Sequence, residues 1–109
     1  MVEYRLQLDT IFGSLADPTR RDILQRVATT PLTVGEIAKS YNLTFAAISK
    51  HLKVLENAHL ITKRKRGKER IVDISPSAFQ DASQYLKHYE ALWSQRFDAL
   101  EELIMEDTK

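Results

Sequence analysis

Cysteine is missing from all 109 residues. That excludes a disulfide framework and any thiolate metal site. Glycine is scarce, with Gly13, Gly35 and Gly67 far apart. Glycines so scattered cannot make the clustered loop that cradles a nucleotide phosphate. Apolar runs are short, and none approaches the ~20 residues that cross a bilayer as a helix. Near the start Glu3, Arg5 and Asp9 interrupt any signal-peptide core. Repeats, long linkers and low-complexity stretches are also missing. These shortages lead us to expect one small, soluble, cytoplasmic domain that is not membrane-bound. Carboxylate pairs or metal clusters on facing elements are not apparent, so an enzyme has almost no support, and we expect no catalytic residues and no cofactor.

One shortage is local. Residues 39–70 carry nine basic side chains and only two acidic ones. Residues 1–38 carry four against five, and residues 71–109 carry three against eight. The net charge of +1 therefore conceals a basic centre with acidic flanks. Such an arrangement turns one face toward a polyanion and keeps the other away from it.

The basic centre begins with TVGEIAKSYNLTFAAISKHLK, residues 33–53. Thr33 and Glu36 have the spacing of a capping box, and Leu32 and Ile37 that of a hydrophobic staple. The first helix is predicted to run to about Tyr41. Thr44 is the next N-cap candidate, with Leu43 and Ile48 repeating the staple, and a second helix is predicted over 45–57. Asn42 is the candidate for a left-handed residue in the bend. Ile37, Tyr41, Leu43, Ile48, Leu52 and Leu55 form the expected buried face, and Ala38 is small where the two helices cross. Two capped helices at this spacing are how a protein lays a helix in the DNA major groove.

The outward stripe of the second helix is Phe45, Ala46, Ser49, Lys50 and Lys53, without an acid. Ser49 can hydrogen-bond a base edge, Ala46 and Phe45 can meet thymine methyls, and the lysines suit guanine edges or phosphates. Thr44 and His51 complete the candidate surface, His51 as a packing or phosphate-contacting residue. The competing interpretation is a solvated lysine face with Phe45 folded back as packing. Ser49 and His51 are two apart on a helix and diverge, so nucleophilic chemistry is discounted.

Short β-favouring runs follow at 60–62 and 71–74. KRKRGKER lies between them and holds six basic residues, namely Lys63, Arg64, Lys65, Arg66, Lys68 and Arg70, with Gly67 to turn the hairpin. A basic hairpin after a recognition helix reads as the wing of a winged helix, placed on a phosphate backbone or in the adjacent minor groove. A lysine-protected edge hairpin and a nuclear-localisation-like run are the plainer alternatives. Cations so crowded repel one another unless an anion neutralises them, which favours DNA.

Both ends read as amphipathic helices. Tyr4, Leu8, Ile11 and Leu15 step by four, three and four, with Phe12 alongside, within a helix expected over 3–16. Asp17-Pro18 is a cap followed by proline at the first helical position, opening a helix expected over 18–28 that buries Ile23, Leu24 and Val27 before Pro31 breaks it from the motif. Ser75-Pro76 repeats that start for a helix expected over 76–105. Phe79, Ala82, Leu86, Tyr89, Trp93, Phe97, Leu100 and Ile104 nearly form a heptad seam, widened by Leu92 and Leu103. A small winged domain does not use so long an apolar stripe. A homodimer is expected in which the first and last helices pair across a two-fold axis, through Leu8, Ile11, Phe12, Leu15, Leu86, Tyr89, Trp93, Phe97, Leu100 and Ile104, and which displays two recognition helices. The alternative is a last helix that folds back on its own domain.

LADPTRRDIL (15–24), LTVGEIAKSYNLTFAAISKHLKVLENAHLI (32–61) and the basic hairpin together resemble the ArsR-type family of bacterial winged-helix repressors. The resemblance covers about residues 8–105. It implies a mainly α fold of about five helices with a two-stranded wing, a homodimer, and binding to an imperfect inverted repeat in double-stranded DNA near a promoter. It aligns Arg20 and Arg21 with the family's basic pair, structural or phosphate-facing. Many members sense metals through cysteines in the first motif helix or through Asp, His and Glu on the last helix. Here the former has no thiol, and Asp81, His88 and Glu90 lack the matching partners, since Ser83 and Ala91 occupy those places. The chain is thus similar to the metal-independent branch, and no metal site is expected. Alternatives to a repressor are a winged-helix module that binds protein and a metal-responsive repressor with an unrecognised site. Operator and inducing signal are not legible.

Overall fold

A computed structural model describes residues 2–107, with side chains from residue 7 onward. Tyr4 of the expected apolar line therefore has its side chain outside the described residues. The elements are α1 (Val2–Ser14), α2 (Pro18–Thr29), β1 (Leu32–Thr33), α3 (Val34–Ser40), α4 (Phe45–Asn57), β2 (Ile61–Arg66), β3 (Glu69–Ile74) and α5 (Pro76–Asp107). The five expected helices are present. Helix α1 stops at Ser14 rather than residue 16, and α5 continues two residues past the expected end. The chain up to Phe79 is one compact unit, and the chain from Gln80 is another.

Local chemistry accounts for the helix starts. The Asp17 carboxylate accepts from the Arg20 backbone N–H at 3.0 Å, with Pro18 in the first turn. Thr33 and Glu36 exchange both bonds of the capping box, at 3.0 and 3.1 Å. Thr44 Oγ1 accepts from Ala47 N–H at 3.1 Å and opens α4. Each bond satisfies a backbone donor that a helix terminus leaves unmet.

The first unit is centred on Ile23, Val27, Ile37, Ile48, Leu52, Leu55, Leu60 and Val72, each at most 1% exposed. Every one comes from an apolar position at helical or strand spacing, and α2, α3 and α4 all contact one another or the sheet. Fully burying side chains of this size stabilises the fold by about 1.5–3 kcal/mol each.

The turn regions correct several expectations. The sheet has three antiparallel strands in the order β1-β3-β2, so the wing is not two-stranded. Leu32 pairs with Val72 and Thr33 with Ile71, which uses the free edge of β3. The hairpin strands also run farther than the apolar residues alone suggested, with Arg66 opposite Glu69 across Gly67, which has φ +63°. Asn42 is not left-handed. Tyr41 leaves α3 in an extended conformation, φ −119° and ψ 145°, and turns the chain without a positive φ. Leu43 is 44% exposed and Tyr41 half-buried, so neither belongs to the core as expected.

The left-handed position lies instead after α4. His59 has φ +60° and is the one non-glycine residue with positive φ among those described. Leu60 N–H donates to Leu55 carbonyl at 3.1 Å and His59 N–H to Glu56 carbonyl at 3.0 Å. That pair of bonds is a Schellman motif, and it aims the chain from α4 into β2.

Candidate nucleic-acid interface

Helix α4 divides cleanly. Ile48, Leu52 and Leu55 point into the core, while Phe45, Ala46, Lys50 and Lys53 are exposed and Ser49 is half-buried. Phe45 keeps 63% of its surface in solvent rather than folding back as packing. The outward stripe has two edges. Phe45 and Ser49 line a groove of about 430 Å³ shared with Thr33, Val34, Gly35, Leu52 and the hairpin residues Lys63, Lys68, Glu69 and Arg70. Ala46, Lys50 and Lys53 do not line that groove; helical periodicity sets them on the edge turned away from it.

The hairpin register distributes its cations. Lys63 opposes Val72, Lys65 opposes Arg70, and Arg64 opposes Ile71. Successive residues of a strand point to opposite faces, so Lys63, Lys65 and Arg70 share one face, and Arg64 and Arg66 the other. Arg64 and Arg66 line a second recess with Pro31, Thr33, Glu36, Glu69 and Ile71. Arg64, Lys65, Arg66, Lys68 and Arg70 are exposed. Lys63 is not; its ammonium lies 3.5 Å from the Glu56 carboxylate of α4.

His51 also turns inward. Its Nδ1 lies 3.3 Å from Arg20 Nη1 and 3.9 Å from Asp17 Oδ2. A guanidinium only donates, so Nδ1 accepts and the ring proton sits on Nε2. Arg20 Nε donates to the Ser14 carbonyl at 2.6 Å and Nη2 to the Gly13 carbonyl at 3.3 Å. Arg21 Nη1 donates to the Leu15 carbonyl at 2.7 Å. The DPTRR run thus caps two helices at once. Asp17 satisfies the start of α2, and the two arginines satisfy carbonyls at the end of α1. Through His51, Arg20 also ties this corner to α4. The sequence allows these arginines structural or phosphate-facing roles, and their bonds are to backbone carbonyls and, for Arg20, to His51.

Electrostatics supports the scaffold beneath α4. The Arg20 backbone N–H holds the Asp17 carboxyl below its ordinary value, and the Thr33 backbone N–H does the same for Glu36. Burial raises the Tyr41 phenol, and its hydrogen bond to Asp22 adds to the rise. The Arg26 guanidinium lies 5.6 Å over the Tyr41 ring, closing the α2–α3 corner.

Val34, Gly35 and Leu52 in the groove wall were not expected as site residues. Their only sequence signal was their place beside the cap and in the core face. Among the described residues, no three His, Cys, Asp or Glu side chains gather to hold a metal, and no helix is long and apolar enough to cross a membrane.

Helix α5 leaves a row of large apolar side chains exposed. Leu86, Tyr89, Leu92, Trp93, Phe97, Leu100 and Ile104 all present large surfaces, 61% for Trp93 and 66% for Phe97. Tyr89 packs edge-on to Tyr85 at 5.2 Å and tilts against Trp93 at 6.5 Å. On α1, Leu8 and Ile11 are buried and Phe12 is half-buried, as is Leu15 in the turn that follows.

A family model described as "Bacterial regulatory protein, arsR family" matches residues 17–63, which run from the α2 cap through the helix–turn–helix into the wing. The chain is 42% identical over 69 residues to the HTH-type transcriptional regulator Rv2034 of Mycobacterium tuberculosis, covering 63% of this chain and 64% of that protein, a little under two thirds of its length. It is 28% identical over 82 residues to the transcriptional repressor SdpR of Bacillus subtilis, covering 75% of this chain and 91% of that one. The crystal structure of the ArsR family transcriptional regulator RHA00566 superposes with a TM-score of 0.78 at 36% identity, over 83% of this chain and 93% of that one.

Proposed function

Because the chain belongs to the ArsR family of bacterial transcriptional regulators, we propose that it acts as a homodimeric repressor on an inverted-repeat operator beside a promoter. Family membership makes it a regulator with a helix–turn–helix DNA-binding domain and not an enzyme. The observation that carries the finer reading is the acid-free outward stripe of α4, set beside a hairpin with five exposed cations.

In this reading α4 enters the major groove. Ala46, Ser49 and Lys50 meet base edges, Phe45 meets thymine methyls, and Lys53 and Thr44 serve the phosphates. The hairpin reaches the flanking backbone through Arg64, Lys65, Arg66, Lys68 and Arg70. His51, with Nε2–H as its donor, contributes to a phosphate from the rim. The dimer forms through the α5 seam and the half-buried Phe12 and Leu15, while Leu8 and Ile11, buried within their own chain, take no part. Two copies of α4 related by a two-fold axis then match two half-sites about one helical turn, roughly 10 base pairs, apart. Occupying promoter DNA in this way blocks transcription.

Selection of bound sequences from random duplex DNA by the purified protein tests the reading. The expected product is a two-fold symmetric site whose affinity falls steeply with salt. A folded protein that enriches no sequence at low ionic strength refutes it, and enrichment without symmetry refutes the dimer.

A further inference from the structure

Lys63 differs from the other cations of the hairpin. Only 15% of its side-chain surface is exposed, and its Nζ lies 3.5 Å from Glu56 Oε1. Glu56 is in the last turn of α4, next to the buried Leu55, and its carbonyl is one acceptor of the Schellman motif that launches β2. Lys63 opposes Val72, which is fully buried, so it sits where the hairpin leaves the core. Two residues farther along the same strand face, Lys65 is exposed. The two lysines have the same chemistry and opposite environments. A phosphate reaching Lys63 would have to approach the Glu56 carboxylate and displace it.

We propose that Lys63 is a positioning residue, whose pairing with Glu56 sets the angle of the wing to α4. This reassigns Lys63 from the phosphate contacts expected from the sequence, and it rests on the DNA-binding reading of α4 and the wing. An antiparallel hairpin is anchored by the core at one end and free at its turn. A small swing at the base moves the tip, with Lys65, Arg66 and Lys68, by a larger distance. The Lys63–Glu56 pair therefore governs whether α4 and the wing tip can engage adjacent parts of one duplex together. Its effect on affinity is through geometry, without release of a counterion.

Counterion release separates the two roles. The logarithm of affinity falls with the logarithm of salt by about 0.9 for each phosphate neutralised. Lys63→Met keeps the stem and removes the charge. On the selected duplex it is expected to weaken binding roughly three- to tenfold at every salt concentration, with the slope unchanged. Lys65→Ala is expected to lower the slope by about 0.9 for each phosphate that Lys65 neutralises. The exchanged pair, Glu56→Lys with Lys63→Glu, is expected to recover affinity relative to Lys63→Met. A slope reduced by Lys63→Met as by Lys65→Ala, with no recovery in the exchanged pair, overturns the proposal. Amide hydrogen exchange of β2 and β3 in the DNA-free protein gives an independent reading. Exchange should quicken in Lys63→Met and Glu56→Gln, stay unchanged in Lys65→Ala, and slow again in the exchanged pair. Equal exchange in all variants overturns the proposal. Failure of the unaltered protein to bind DNA defeats the functional reading instead, and the exchange data still decide on the pair.

Discussion

Helices α4 and α5 are both amphipathic, yet their apolar faces end differently. Ile48, Leu52 and Leu55 of α4 are at most 1% exposed. On α5, Leu86, Leu92, Trp93, Phe97 and Leu100 remain between 48% and 66% exposed. The chain itself covers the core face of α4, so what α4 offers outward is chiefly lysine, serine and one aromatic ring. What α5 offers is a ladder of large apolar groups at near-heptad spacing, the pattern that another helix covers. On the proposed reading, one helix meets a polyanion and the other a copy of itself. Substitutions that act on one and spare the other test the distinction.

The largest effect is expected at the seam. Trp93→Glu places a charge among apolar side chains, and a central aromatic of such an interface contributes about 2–4 kcal/mol. Sedimentation should show monomers at concentrations where the unaltered protein is dimeric, with the far-ultraviolet helical signal retained. A dimer that survives Trp93→Glu and Phe97→Glu together would put the interface elsewhere and erase the contrast between the two helices.

Arg20→Ala should follow, on the α4 side. It strips donors from the Gly13 and Ser14 carbonyls and from His51 Nδ1. Hydrogen bonds from a charged donor contribute about 1.5–3 kcal/mol each where desolvated, and these are only partly buried, so a loss of about 2 kcal/mol in urea unfolding is expected. Arg20→Lys should not rescue, because an ammonium cannot reproduce the fork. Unchanged stability in both variants would make this corner dispensable to the seating of α4.

The outward face of α4 gives the next effect. Lys50→Ala should reduce discrimination between the selected site and random duplex, by about 1–3 kcal/mol if it makes a good base contact. The seam variants should instead weaken both by the loss of avidity. Equal loss on both duplexes from Lys50→Ala would remove base reading from that residue.

These regions were unequally legible in the sequence. The caps at Asp17, Thr33 and Thr44 and the extent of α4 were readable because N-capping is decided within four residues. The apolar spacing of α5 was readable because a helical period is written in the sequence itself. The strand β1 was not, since two residues carry no period, and its pairing depends on the free edge of β3. Asn42 was assigned by residue preference, but extended Tyr41 turned the chain. Arg20 reaching Gly13, Ser14 and His51, and Lys63 reaching Glu56, join residues whose approach depends on how α1, α2, α4 and β2 pack. Composition marked both residues as cations and could not say that their partners lie within the chain.

The smallest expected effect concerns acid. The ordinary values for Asp17 and Glu36 are 3.8 and 4.5, and the folded chain holds both carboxyls below them. A group with a depressed folded value contributes stability that is complete above its unfolded value and is lost as pH falls through the folded one. Both carboxylates remain open to water, so the contribution is modest and confined to acid solution. The apolar groups of the α5 seam do not titrate. As pH drops below about 4, the unit holding α4 should therefore loosen through its α2 and α3 caps, seen as faster amide exchange in their first turns. Asp17→Asn with Glu36→Gln should flatten that response. An acid response of the same size in the doubly substituted chain would place its origin outside the caps.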